Sequence, residues 1–214
     1  MSKIDNFTLL SLGDSYTIGE GVSENDRWPV QLAGLLLGRK LAFNSPDIIA
    51  QIGWTTAELL AGIEASGNRK QYDLVTLLIG VNNQYRGQSL EEYRTEFAQL
   101  LQTAIRYVAN RPGRPRSDQP RPGRVVVLSI PDWGMSPFAA DRDRATIARQ
   151  IDEFNAVARQ ESAKAGVTYV DITPMTRQAT GDAPQFAVDG LHYSGKQMKL
   201  WAEKALPVVE GLLR

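Results

Sequence analysis

The sequence predicts an α/β three-layer α/β/α sandwich built on a five-stranded parallel sheet, and three observations carry that prediction. Five short β-rich runs recur along the chain, helical patterns lie between them, and the runs are almost continuously apolar. Strands that alternate with helices pair in parallel through right-handed crossovers. Strands apolar on both sides belong to a sheet covered on both faces.

The runs are "FTLLSLG" (7 to 13), "DIIAQIG" (47 to 53), "DLVTLLIG" (73 to 80), "RVVVLSI" (124 to 130) and "VTYVDIT" (167 to 173). Between the third and fourth, residues 90 to 109 place Tyr93, Phe97, Leu100, Leu101, Ala104, Ile105 and Val108 on one helix face, at three- and four-residue steps. Ile147, Ile151, Phe154 and Ala158 repeat the device before the fifth run. A terminal helix around 195 to 212 carries Met198, Trp201 and Ala205 in the same register, and Pro207 is expected to kink it or end it early.

Two segments break this rhythm. Residues 111 to 124, "RPGRPRSDQPRPGR", hold five arginines, four prolines and one acid, so they read as an exposed connection. A solvated, variable loop is favoured there over an anion-binding flap. Residues 172 to 193 make an unusually long link between the last strand and the last helix, and they contain the only histidine. Links of that length are more often functional than structural.

Composition narrows the function. With 214 residues, 43% of them hydrophobic, the chain is expected to form one domain over 1 to 214. The 24 basic and 24 acidic side chains cancel, so no global field favours nucleic acid, an anionic membrane or a polyanionic substrate. Cysteine is absent, which excludes disulfides, thiolate metal sites and a cysteine nucleophile. The opening "MSKIDNF" leads directly into the first strand without a signal-like or membrane-spanning segment. A cytoplasmic location without stable membrane association is the expectation; the oligomeric state is not readable.

Ligands of open parallel sheets bind outside the carboxyl ends of the strands. The turns at that rim hold Gly13-Asp14-Ser15, then Gly53 and Trp54, then Gly80-Val81-Asn82-Asn83, then "PDWGMSPF", and finally Asp189-Gly190-Leu191-His192. Ser15 alone reads as a helix cap. Beside a histidine it reads as a nucleophile, because a hydroxyl attacks well only when a neighbouring base takes its proton. Asp189, three residues before His192, is placed to hold the imidazole in the useful tautomer. Acyl transfer also needs donors for an oxyanion, and the Ser15 N–H, the Gly53 N–H and the Asn82 amide are candidates. The plainer readings are a surface histidine, a strand-ending glycine and an ordinary turn; agreement in position outweighs them.

These blocks, "LGDSYTIGEG", "QIGWTT", "IGVNNQ" and "DGLH", resemble in order and spacing the four blocks of the GDSL/SGNH hydrolase superfamily, over nearly the whole chain. The resemblance implies a flavodoxin-like fold with Ser15 as nucleophile, His192 as base, Asp189 as its orienting acid, and Gly53 and Asn82 completing the oxyanion hole. It also implies ester or thioester hydrolysis with no metal or organic cofactor. Two departures stand out: GDSY replaces GDSL, and Asn83 occupies a position where the family often has aspartate. The G-x-S-x-G elbow of α/β-hydrolases is absent, since Thr17 stands two residues after Ser15.

Trp54, Trp133, Met135 and Phe138 lie on rim turns and read equally as pocket lining or core lids. No lipase-like apolar insertion is present, so a small soluble ester or an acetylated carbohydrate is expected rather than a triglyceride. An acyltransferase would use the same acyl-enzyme, and a non-catalytic glycan- or acyl-binding module would not need the triad. A phosphate-cradling loop ranks last, for "GDSYTIGEG" has neither a P-loop lysine nor dinucleotide glycine spacing.

Overall fold

The computed structural model describes residues 6–108, 122–178 and 183–214. Its sheet has five strands: β1 (Leu9–Gly13), β2 (Asp47–Ala50), β3 (Leu74–Leu78), β4 (Val125–Leu128) and β5 (Thr168–Val170). They run parallel in the order β2-β1-β3-β4-β5. Every residue of β1, β3 and β4 is buried, as their continuous apolar runs require, while the edge strand β2 is half-buried throughout.

The helices are α1 (Ser15–Ile18), α2 (Trp28–Leu37), α3 (Thr56–Ala65), α4 (Val81–Tyr85), α5 (Leu90–Arg106), α6 (Arg144–Lys164), α7 (Thr173–Arg177) and α8 (Gly195–Leu213). Helices α2 and α8 pack on each other, and α3, α5 and α6 form a second contiguous group. Gln31 clasps the first pair: its Nε2 donates to Gly195 O at 2.9 Å and to Asp26 O at 2.6 Å. The predicted helical face of α5 is the buried one, with Tyr93, Phe97, Leu100, Leu101, Ala104 and Ile105 inside.

Three expectations are corrected. Helix α8 does not end early at Pro207 but continues through it to Leu213. Pro207 is exposed, so the carbonyl that loses its helical N–H partner there lies towards water and the ladder re-forms beyond it. The long link 172–193 contains a helix, α7, and a closed hairpin. Phe186 and Tyr193 bridge antiparallel, with Ala187 N–H donating to His192 O at 2.7 Å and Ser194 N–H to Gln185 O at 2.9 Å. The arginine- and proline-rich segment falls mostly outside the described residues. Its last residue, Arg124, is buried instead of exposed, with Nη1 3.9 Å from Asp73 Oδ1.

Strand register levels the rim. Gly13 pairs with Ala50 of β2 and with Leu78 of β3, so the turns carrying Ser15, Gly53 and Asn82 leave the sheet side by side. Gly13 is required at this point. A Cβ there would lie 2.2 Å from Thr17 Oγ1 and 2.4 Å from the Leu78 carbonyl oxygen.

Candidate active site

The turn after β1 presents Ser15 as the first residue of α1, and Asp14 supplies the cap. Asp14 Oδ1 accepts from the Tyr16 N–H at 3.0 Å, which removes the reading of Ser15 as the capping residue. Burial pushes the Asp14 carboxyl up to about 7, against the lowering effect of the Tyr16 and Asp14 N–H groups. Its Oδ2 is buried without a hydrogen-bond partner among the described residues, an arrangement suited to a neutral acid. Ser15 itself is 5% exposed, leaving its hydroxyl at the bottom of the rim.

The 185–194 hairpin delivers Asp189 and His192. Asp189 Oδ2 lies 2.5 Å from His192 Nδ1, and Asp189 Oδ1 accepts from the N–H groups of Leu191 at 2.9 Å and His192 at 3.0 Å. Burial works against ionisation of Asp189, but the His192 hydrogen bond and these backbone donors prevail and hold its carboxyl below the usual range. A carboxylate at Nδ1 assigns the proton to that nitrogen and leaves Nε2 as the acceptor.

The hairpin is locked from behind. Tyr193 is fully buried, packs on Phe186, Trp201 and Tyr16, and hangs its hydroxyl from Asp132 O at 2.8 Å. The Tyr16 ring meets the His192 ring edge-on at 5.8 Å between centroids, which brings the histidine alongside the turn bearing Ser15. Among the described residues no hydrogen bond engages the Ser15 hydroxyl. Nucleophile–base contacts commonly tighten only in the complex with substrate.

Three donors border the same turn. The N–H groups of Ser15 and Gly53 have no hydrogen-bond partner among the described residues. Asn82 Nδ2 donates one hydrogen to Trp54 O at 2.9 Å, which ties the third block to the second and leaves its other hydrogen available. Gly53 has φ +80°, a conformation that favours glycine.

The aromatic candidates separate. Trp54 lies over Gly62 of α3, where a Cβ would come within 2.1 Å of its ring, so its indole is packed on that helix. Trp133 is buried and its Nε1 donates to Gln84 Oε1 at 2.8 Å. It contacts Tyr85 at 5.3 Å and Phe138 at 6.2 Å between ring centroids, making a corrugated ledge. Tyr85 and Phe138, 51% and 44% exposed, offer open faces there. Met135 is half-buried on the same loop. The Phe138 N–H donates to Gly190 O at 2.9 Å, so the ledge is fastened to the hairpin that carries His192. Among the described residues no group of three or more His, Cys, Asp or Glu is placed to hold a metal ion. A groove of about 680 Å³ between α3 and α5 lies near the amino end of β3, and its lining has no serine, histidine or aspartate.

Residues 11–200 match the model of the GDSL-like lipase/acylhydrolase family. The chain belongs to that family. It is a carboxylic ester hydrolase, and the triad and oxyanion hole follow from the family's chemistry. No curated protein sequence matches it significantly. Among solved structures, TesA is similar at 21% identity and TM-score 0.71, covering 96% of this chain and 99% of its own. The esterase EstA from Pseudoalteromonas sp. is similar at 16% identity and TM-score 0.69, with 98% and 99% covered. Axe2, an acetylxylan esterase from Geobacillus stearothermophilus, is similar at 18% identity and TM-score 0.68, with 97% and 96% covered. At these identities the likeness establishes the fold.

In this GDSL chain Asn83 ties the third block to the start of α3. Its Oδ1 accepts from the Thr56 N–H at 3.1 Å, and its Nδ2 donates to Thr56 Oγ1 at 2.6 Å and to Gln88 Oε1 at 2.7 Å. The amide thus fixes the start of α3 against α4 without a buried charge. Tyr85, Arg86 and Tyr193 were not among the sequence candidates. The signal for the first two lay in "NNQYRG", where Tyr85 and Arg86 fall three and four residues after Asn82 and so share its side of the turn.

Proposed function

We propose that this GDSL hydrolase is a serine esterase in which Ser15, His192 and Asp189 form the triad and the N–H groups of Ser15 and Gly53, with the Asn82 amide, form the oxyanion hole. The observation that carries this reading is the 2.5 Å contact of Asp189 with His192 Nδ1, made by a hairpin whose histidine ring stands against Tyr16. That pairing directs Nε2 towards a proton-accepting role, and the next residue of the chain before Tyr16 is the serine.

Ser15 Oγ attacks the ester carbonyl carbon while His192 Nε2 takes the hydroxyl proton. The carbonyl oxygen becomes an oxyanion held by the three donors. The intermediate collapses, the carbon–oxygen bond to the alcohol breaks, and Nε2 returns the proton to the leaving alcohol. Water then attacks the acyl-enzyme, gives a proton to Nε2, and the freed Ser15 oxygen recovers it. Asp189 stabilises the imidazolium at both stages without itself taking the proton.

For the substrate we propose small acetyl esters, with acetylated carbohydrate as the favoured class. The exposed faces of Tyr85 and Phe138 suit the apolar face of a sugar ring, and Axe2, an acetylxylan esterase, has a similar fold. Hydrolysis of p-nitrophenyl esters from acetate to long chain tests the reading, with Ser15→Ala and His192→Ala as controls. Loss of activity in both folded variants and a preference for acetate are expected. Activity that survives Ser15→Ala would remove the serine from the mechanism.

A further inference from the structure

Arg86, the residue that closes α4, reaches back across the rim to Gly53. Its Nη2 donates to the Gly53 carbonyl oxygen at 2.5 Å, and its Nη1 lies 3.1 Å from Glu58 Oε2 and 3.2 Å from Glu58 Oε1. Glu58 is anchored in turn. Its Oε2 accepts from the Thr55 N–H at 2.7 Å as part of the box that caps α3. The Thr55 N–H, with lesser help from Arg86, holds the Glu58 carboxyl below its usual range despite the opposing effect of burial.

Three successive residues are therefore each held by a different side chain: Gly53 O by Arg86, Trp54 O by Asn82, and Thr55 N by Glu58. Gly53 has no side chain of its own to fix its dihedrals, and its φ of +80° lies in a broad well for glycine. An N–H meant to meet an oxyanion must be set before charge develops, because a donor that reorients during the reaction loses much of its value. The one atom within 4 Å of the Gly53 Cβ position is Arg86 Nη2, at 3.5 Å, so the guanidinium lies against the glycine itself.

We infer that Arg86 is a positioning residue for the oxyanion hole: by clamping the Gly53 carbonyl against Glu58 it presents the Gly53 N–H to the developing negative charge. The inference rests on the serine-esterase reading above. It adds a cationic residue that touches neither substrate nor triad and acts through the glycine. The guanidinium fork is what the task needs, since one nitrogen serves the carbonyl while the other serves the carboxylate.

The test uses an alkyl fluorophosphonate, whose phosphoryl oxygen occupies the oxyanion position when the serine attacks, together with p-nitrophenyl acetate turnover. Arg86→Ala is expected to slow phosphonylation and kcat by about 10- to 50-fold, less than the loss of a whole donor, with KM within about twofold of wild type. Arg86→Lys, which keeps a donor for the carbonyl, is expected to recover part of that loss. Thermal midpoints should stay together, since the Arg86–Glu58 pair is half exposed and contributes little to stability. Wild-type phosphonylation and kcat in Arg86→Ala, a loss that appears in KM instead, or a loss matched by a fall in thermal midpoint would each overturn the inference. Labelling that survives Ser15→Ala would remove the reading beneath it, so the two failures are distinguishable.

Discussion

The hydroxyl of Tyr193 donates to the backbone carbonyl of Asp132 at 2.8 Å, so the residue that follows His192 is suspended from the loop that follows β4. Both groups are fully buried. Tyr193→Phe removes this bond and leaves the Asp132 carbonyl only the Met135 N–H at 3.2 Å, which should cost about 1 kcal/mol of stability. Because the same bond steadies the histidine hairpin, kcat should fall several-fold as well, and urea unfolding with steady-state kinetics on one preparation separates the two effects.

Asp189→Asn probes the orientation of the imidazole. An amide at this position can present its NH2 group to Nδ1, favouring the tautomer that protonates Nε2 and cannot accept from Ser15. On the proposed roles kcat should fall by about 10²–10⁴-fold with little change in KM. A variant that retains kcat within a few-fold of wild type would take Asp189 out of the triad.

Asp14 makes a prediction about pH. Its carboxyl is pushed up to about 7 in the folded protein by burial, against 3.8 for an exposed aspartate. Between those values the folded state keeps a proton that the unfolded state has released. Its contribution to stability is therefore full below about pH 4 and declines as pH rises through 7, with a slope of up to about 1.4 kcal/mol per pH unit. Asp14→Asn retains an oxygen for the Tyr16 N–H and lacks the titrating group. Thermal midpoints of wild type and variant, compared from pH 4 to 8, should diverge in favour of the variant towards alkaline pH; parallel curves would exclude Asp14 as their source.

Tyr85→Ala and Phe138→Ala test the ledge. Both should raise KM for an acetylated oligosaccharide about 3- to 10-fold while leaving p-nitrophenyl acetate turnover close to wild type. Equal effects on both substrates would place the rings in the support of the site rather than in contact with sugar.

Gly13→Ala should be among the most damaging changes of a single methyl group. The added carbon meets both the Thr17 side chain and the Leu78 carbonyl oxygen, and the latter is fixed in the sheet. A loss of about 3 kcal/mol or more, or failure to accumulate folded protein, is expected. Circular dichroism melting decides it.

The five parallel strands and the rim turns were legible because parallel strands write themselves as apolar runs, and because ligand sites of such sheets share one end, whereas the order β2-β1-β3-β4-β5 was not read from the sequence. The motif residues came into view for the same reason: Ser15 and Asn82 stand just past a run, Gly53 ends one, and His192 lies in the long link after the fifth. What escaped was what local pattern does not encode. Asp14, not Ser15, caps α1, a choice made by burial of the turn. Helix α7 is one short turn, "TPMTR", without enough periodicity to announce itself. Pro207 failed to end α8 because its exposed position tolerates a missing bond. Trp54 turned to Gly62 within its own crossover, and Arg86 reached Gly53 from the next crossover, a contact that only the assembled sheet defines.

The clasp of Gln31 on Gly195 joins the segment just after the proposed nucleophile to the segment just after the proposed base. Ser15 and His192 stand near opposite ends of the sequence, and everything between them must be built before they meet. Turnover is then a gauge of finished assembly. A chain still emerging from the ribosome carries a serine with no base, and an intermediate in which the last helix has peeled from α2 is silent even with its central strands intact. Recovery of hydrolysis during refolding should accordingly lag the return of sheet structure and coincide with the docking of α8.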